Sequence, residues 1–316
     1  QPLTLPYYFN STMSQWVTNI AKNERIDQVL VYSSSMAQYV LDPKFASNNR
    51  IIDFVDVDSD KWRQYAEKKN WPMKWLYHRE ARYLLDFEKE VADALDASFF
   101  VSSDEAEHFR QLAPESAGKI HYYSNGVDLE KFDPALEFET PFHAGVQLIV
   151  FTGAMDYWPN EDAVTRFAQK ILPGIQQQWP ETRFHIVGSR PSEKVLKLGD
   201  MEGVSVTGSV HDFRPYIKHA TVVVAPMQIA RGIQNKVLEA MAMAKPVVVT
   251  TMGLEGIHAQ HGKEILVADD AGGFIAEITG LFKSGKGAAL GEAAREKVCN
   301  NFSWDNTLKN FDRWII

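Results

Sequence analysis

Lys236 and Glu239 stand three residues apart on a segment of helical character, so both side chains project from one side of the helix that starts near Asn235. The amides of a helix's first turn have no intrahelical acceptor, and a helix start therefore favours an anion. Gly232, in the loop from Met227 to Gln234 that leads into this helix, lets a ligand approach the backbone closely, with Ile233 and Gln234 beside it. A cation and a carboxylate next to such a terminus suit a nucleoside diphosphate, Lys236 meeting phosphate charge and Glu239 two ribose hydroxyls. The same spacing also suits an ordinary exposed ion pair worth a few tenths of a kcal/mol, and the surrounding elements have to decide between the two.

A second candidate is the pair of carboxylates in Asp56-Val57-Asp58. At a strand end, residues two apart face the same way, so the two can share a ligand, either a metal ion or an acceptor hydroxyl. Capping of the segment that follows is the structural alternative. Glycines close three further apolar runs: Gly153, Gly188 in Gly188-Ser189-Arg190, and Gly208 in Gly208-Ser209-Val210. Arg190 adds a possible cation at the same edge. The nine histidines show no metal-ligand spacing, and neither a Ser/His/Asp set nor a nucleophile elbow occurs, so hydrolase chemistry has no support.

The elements that must position these residues alternate strand and helix along the chain, which predicts parallel sheets. Strands are read at residues 29–34, 51–57, 98–102 and 120–124, with a long helix from Met73 to Leu95. A second series follows at 147–153, 183–188 and 204–208, continues through the apolar runs either side of the Asn235 helix, and ends at 264–268. Pro159 and Asn160 mark the start of that series' first helix, Asn160 as a cap. The reading divides the chain into a first domain at residues 1–135, a Rossmann-like domain of about six strands at 145–300, and a terminal segment at 301–316. The first domain offers only about four strands, and the chain opens on Gln1 rather than Met, which suggests a processed or truncated product.

These motifs resemble the donor-site signature of family 4 glycosyltransferases, the retaining GT-B enzymes, in which a Glu is followed after seven residues by a second Glu, then Ala-Met-Ala and Pro-Val-Val. Glu239-Ala240-Met241-Ala242 and Pro246-Val247-Val248 match, while Arg231 holds the place of the first Glu. In the family the second Glu contacts the nucleotide ribose, a role that passes to Glu239; the first contacts the transferred sugar, and Arg231 is left with the diphosphate or a sugar carboxylate. Asn125-Gly126-Val127-Asp128 resembles the segment that closes the family's first domain. The family's Gly-Arg and following Lys are replaced here by Gly153-Ala154-Met155-Asp156, which moves phosphate binding onto Arg231, Lys236 and backbone amides. The loop matching Gly208-Ser209-Val210 abuts the nucleobase in the family. Within it, the runs DFVDVDSDKWRQ, FTGAMDYWPNEDAV and RGIQNKVLEAMAMAKPVVV are similar to sugar transferases of exopolysaccharide and PEP-CTERM/exosortase loci.

The resemblance implies two Rossmann-like domains facing a cleft, the first lacking its leading portion in this chain and met by a terminal helix at 301–316 that packs back on it, with Asp56, Asp58, Arg231, Lys236 and Glu239 as catalytic residues. Gly153, Arg190, Gly208, Val210, Gly232, Ile233 and Gln234 are implied as donor-binding. Neither a metal nor a cofactor is implied beyond the nucleotide-diphosphate sugar itself; Asp56 or Asp58 is left to position the acceptor hydroxyl, and the acceptor is a glycan or a polyprenyl-linked sugar. Three rivals remain on sequence grounds: a GT-B sugar-nucleotide 2-epimerase, a transferase that uses a metal at Asp56 and Asp58, and a non-enzymatic carbohydrate- or partner-binding module.

Composition bounds the partners. With 316 residues and 45% apolar content the chain suits two cores, and its net charge of −8 disfavours nucleic acid. The single cysteine, Cys299, suits a reducing cytoplasm, and no apolar run approaches the ~20 residues of a membrane span. Residues 61–82 depart from the acidic average, with seven Lys or Arg against Glu67 and Glu80 and with Trp62, Tyr65, Trp71, Trp75 and Tyr77 interleaved. That mixture suits peripheral contact with an anionic surface at the inner membrane face, or a solvated helix whose aromatics are core. Glu88 interrupts the apolar stripe of the long helix and has to find donors, such as Arg82 or a backbone amide, or stay protonated.

Overall fold

The computed structural model describes residues 1–45, 49–142, 145–230, 232–309 and 311–314. The chain forms two compact units, Gln1–Ser124 with Leu308–Ile316, and Asn125–Thr307.

The first unit is built on four parallel strands, β1 (Gln28–Tyr32), β2 (Asn49–Val55), β3 (Ala97–Phe100) and β4 (Ile120–Tyr122), in the spatial order β1-β2-β3-β4. Strands buried on both faces carry continuous apolar runs, and all four residues of β3 are buried. The long helix Met73–Ala94 lays Leu84 and Val91 on one face of the sheet, in a core with Phe54, Phe100 and Phe109. The Phe54 and Phe100 rings stack at 5.2 Å and Phe100 meets Phe109 at 4.9 Å. The other face buries Ile51, Ala97 and Phe99 under Phe311, with Tyr123, Leu308 and Trp314 packed around them. Where one terminal helix over 301–316 is expected, the described residues hold a short helix, Trp304–Leu308, and a 3-10 turn, Asp312–Trp314.

The second unit begins earlier than residue 135, because Val127 and Phe132 are buried in its core and the Val127 amide donates to the Phe302 carbonyl at 2.7 Å. Its six parallel strands are β5 (Leu148–Thr152), β6 (Arg183–Val187), β7 (Val204–Val206), β8 (Val222–Ala225), β9 (Val247–Val249) and β10 (Leu266–Val267). They lie in the order β10-β9-β8-β5-β6-β7, the doubly wound arrangement in which strand order reverses between β5 and β8. β10 is shorter than the predicted 264–268. The helix Asn235–Ala242 between β8 and β9 buries Val237, Leu238, Ala240, Met241 and Ala242, which leaves Lys236 and Glu239 on its remaining side.

Candidate functional site

Ligands of doubly wound sheets sit beyond the carboxyl ends of the strands, at the reversal of strand order. At that place the loops after β5, β6, β7 and β8 line a cavity of about 520 Å³. Gly153 and Gly188 bring the first two loops together: a Cβ on Gly188 would lie 1.6 Å from the Gly153 carbonyl oxygen, so no other residue fits. The Gly153 amide donates to Val187 O at 3.1 Å and the Met155 amide to Ser189 O at 2.8 Å, lacing the loops into one wall. The opposite wall is the start of the Asn235 helix. Its cap residue Gln234 makes no side-chain cap, and of the first-turn amides that of Val237 donates to the Gln234 carbonyl at 2.9 Å. Gly232, at φ +64°, supplies the turn into it.

Lys236 and Glu239 both line this cavity. The Lys236 ammonium donates to Asn160 Oδ1 at 2.5 Å and lies 4.6 Å from the centre of the Phe151 ring. Burial lowers its pKa to about 8, opposed by the negative charge of Glu239. Burial raises the pKa of Glu239, opposed by Lys131 and Lys236. An exposed surface pair would be fully hydrated. Here both groups are partly dehydrated around one space, which is where perturbed titration points to a ligand.

Asn160 is the residue that sequence reasoning missed. It was expected to cap its helix, but the helix is Trp158–Arg166, its cap position is Tyr157, and Asn160 is a buried residue of the first turn. Its Nδ2 donates to the Ala154 carbonyl at 2.9 Å, which fixes the amide so that Oδ1 faces Lys236. Its nearness to the Gly153 loop was the available signal. Asn125 supports the site from the other end, donating through Nδ2 to Asn235 Oδ1 at 3.0 Å.

Of the other expected donor residues, Gly153, Val210, Ile233 and Gln234 line the cavity. Gly208, at φ +66°, turns the chain so that Ser209 and Val210 face it. Arg190 does not line it: its side chain is 70% exposed and pairs with Asp156 at 3.0 Å. Arg231 lies outside the described residues.

Asp56 and Asp58 belong to the first unit, at the end of β2. The Lys61 ammonium stands between them, 2.8 Å from Asp56 Oδ2 and 3.2 Å from Asp58 Oδ1. Although burial works against it, the two carboxylates raise the Lys61 pKa and keep the lysine charged. Neither aspartate caps the helix Asp58–Glu67, whose cap position is Val57. The turn that presents them is strained. Val55 has φ +70°, a region β-branched residues rarely enter, and the β2–β3 register shifts beside it. Three carboxylates hold the turn through its amides: Asp53 accepts from Val55 N at 2.9 Å, Glu105 from Val57 N at 2.9 Å and Glu88 from Ser59 N at 3.1 Å. Glu88 also accepts from Ser59 Oγ at 2.5 Å. Its partner is thus Ser59 and not Arg82, and complete burial pushes its pKa up to about 8.

In residues 61–82, Trp62 packs edge-on against Tyr65 at 6.2 Å and Tyr77 at 5.1 Å, while Trp71 and Trp75 are 83% and 61% exposed. Among the described residues no helix is long and apolar enough to cross a membrane.

Residues 146–284 match the family model described as Glycosyl transferases group 1. A Klebsiella pneumoniae protein described as an uncharacterized 44.6 kDa protein in the cps region is 20% identical over 93% of this chain and 73% of its own length. Among solved structures, sucrose-phosphate synthase from Thermosynechococcus elongatus superposes with a TM-score of 0.73 at 16% identity, over 98% of this chain and 77% of that one. A Rickettsia africae glycosyltransferase gives 0.70 at 17% identity, over 97% and 82%. Anabaena Alr3699/HepE, solved in complex with UDP, gives 0.72 at 13% identity, over 100% and 84%. The two parallel-sheet α/β units are those of the GT-B fold.

Proposed function

We propose that this protein is a glycosyltransferase of the retaining, family 4 kind that moves a hexosyl group from a nucleotide-diphosphate donor. One observation carries the reading: Lys236 and Glu239, partly dehydrated, share a cavity with an uncapped helix start at the strand-order reversal of a doubly wound sheet. The family match over residues 146–284 and the UDP bound to Alr3699/HepE support it.

In this mechanism the diphosphate lies against the first-turn amides of the Asn235 helix and the Gly153–Gly188 wall, with Lys236 directed at phosphate by Asn160. Donors already oriented toward the leaving diphosphate stabilise the charge that develops as the glycosidic bond breaks. Glu239 accepts from the ribose hydroxyls. Asp56 and Asp58 hold the acceptor hydroxyl, and the acceptor is a glycan or a lipid-linked sugar. Lys61, placed between these carboxylates, supports a reaction without a metal ion. The cps region named for the Klebsiella relative supports a role in cell-envelope glycan synthesis, which we place at the cytoplasmic side, with the exposed Trp71 and Trp75 of residues 61–82 at the membrane surface.

The test is calorimetric titration with UDP, GDP, ADP and CMP, followed by product analysis with the sugar form of whichever base binds. Stabilisation by one diphosphate and transfer to an acceptor are expected. Release of free epimerised sugar nucleotide with no acceptor, or binding of none of the four, would refute the proposal.

A further inference from the structure

Thr152, the last residue of β5, carries a polar group that the fold leaves unmatched. It lines the cavity of the second unit and is 4% exposed, yet its hydroxyl has no hydrogen-bond partner among the described residues. A buried hydroxyl without a partner forfeits the hydrogen bonds it made to water in the unfolded chain, so such groups are few in native folds. The same sheet satisfies a strand-end threonine elsewhere. Thr250, directly after β9, is 1% exposed, and its hydroxyl donates to the Met227 carbonyl at 2.6 Å and accepts from the Gly253 amide at 3.1 Å.

Its place on the strand separates Thr152 from Lys236. Neighbouring residues of a strand face opposite sides of the sheet. The Phe151 ring lies under the Lys236 ammonium and a Cβ on Gly153 would meet Asn160 Nδ2 at 2.8 Å, so positions 151 and 153 face the side of Lys236 and Asn160. Thr152 turns to the other face, beside Val187, its register partner on β6. Val187 also lines the cavity, as do Val210 and Phe213 from the loop after β7. The Phe213 ring is backed by the buried Phe132 ring at 5.9 Å. Apolar surfaces around a hydroxyl that both donates and accepts suit a flat heterocycle with a carbonyl or ring nitrogen at its edge. They do not suit a diphosphate, which calls for cations.

We infer that the Thr152 hydroxyl binds the nucleobase of the donor, making a hydrogen bond to the edge of a ring that lies among Val187, Val210 and Phe213. This rests on the reading of the cavity as a nucleotide-sugar site. It adds a residue that neither the phosphates nor the ribose hydroxyls engage.

Two variants isolate the hydroxyl. Thr152→Val keeps the shape of the side chain and removes the hydroxyl, whereas Thr152→Ser keeps the hydroxyl and removes a methyl group. Calorimetry uses whichever of UDP, GDP, ADP and CMP binds the wild type, the 2′,3′-dideoxy form of that nucleotide, and inorganic pyrophosphate; urea unfolding is followed without ligand. Loss of one hydrogen bond is expected to weaken the nucleotide and its dideoxy form about tenfold in Thr152→Val and to leave pyrophosphate unchanged. Thr152→Ser should keep most of the affinity. The urea midpoint should move the other way, up in Thr152→Val, which no longer buries an unmatched hydroxyl, and down in Thr152→Ser, which leaves a small cavity. A residue of structural value alone would lose stability and affinity together. Unchanged nucleotide affinity in Thr152→Val, an equal loss for pyrophosphate, a loss that the dideoxy form escapes, or a lowered urea midpoint in Thr152→Val would each overturn the inference while nucleotide binding stands. A wild type that binds none of the four nucleotides would remove the donor reading, and this inference with it.

Discussion

Raising the pH from 7 to 9 should weaken UDP binding about tenfold through a single group, Lys236. Burial holds its pKa near 8. A group with that pKa is about nine-tenths charged at pH 7 and about one-tenth at pH 9, and if only the ammonium form grips the diphosphate, apparent affinity scales with that fraction. Tenfold corresponds to about 1.4 kcal/mol. The phosphate contributes little to the slope, since its second ionisation lies near 6. The sign is opposite for folding: a lysine with a lowered pKa burdens the native state below about 8, and this cost is relieved as pH rises toward the unfolded value. Calorimetry at half-unit pH intervals measures the affinity, and repeating it in buffers of different ionisation enthalpy measures proton uptake, which should approach half a proton near pH 8. Lys236→Arg should flatten the profile, because guanidinium stays charged throughout. Asn160→Asp places a carboxylate 2.5 Å from the ammonium and should move the midpoint upward. A wild-type Kd unchanged between pH 7 and 9, or a slope that persists in Lys236→Arg, would remove Lys236 from the diphosphate site.

Two further outcomes test other residues. Glu239→Ala should weaken UDP binding by about 1.5–3 kcal/mol, the loss of hydrogen bonds to a charged acceptor, while 2′,3′-dideoxy-UDP binds wild type and variant alike; an equal loss for both nucleotides would show that Glu239 does not read the ribose. Glu88, with its pKa raised to about 8, binds its proton more tightly in the native state, so wild-type stability should fall as pH rises from about 4.5 through 8. Glu88→Gln lacks this titration, so urea midpoints of wild type and variant should diverge between pH 6 and 9; parallel pH profiles would contradict the buried, protonated carboxyl.

Periodicity made most of the second unit legible. The runs at Leu148–Thr152 and Val222–Ala225 are apolar because both faces of a parallel sheet are covered, and strands alternating with helices point to a parallel sheet. The glycines at 153, 188 and 232 were legible as places of close approach or unusual φ, and Lys236 with Glu239 as neighbours on one helix side. Asn160 was misread because a cap and a residue of the first turn are only a few positions apart in sequence. What separates them is a lysine 76 residues away. Arg190 is a cationic candidate in sequence because it follows a strand and a glycine at the same sheet edge, while in the structure its side chain pairs with Asp156 and is mostly exposed.

The amino-acid sequence by itself determined the strands, their parallel sense, and which strand ends carry glycine, lysine and carboxylate, since these follow from local stereochemistry and from burial that repeats along the chain. Only the tertiary structure decided which loops share a cavity, that Asn160 aims Lys236, and that Asp53, Glu105 and Glu88 grip the backbone on either side of Asp58. Those facts depend on strand order and on burial across elements far apart in the chain, where dehydration and hydrogen bonding, rather than spacing, set what each side chain can do.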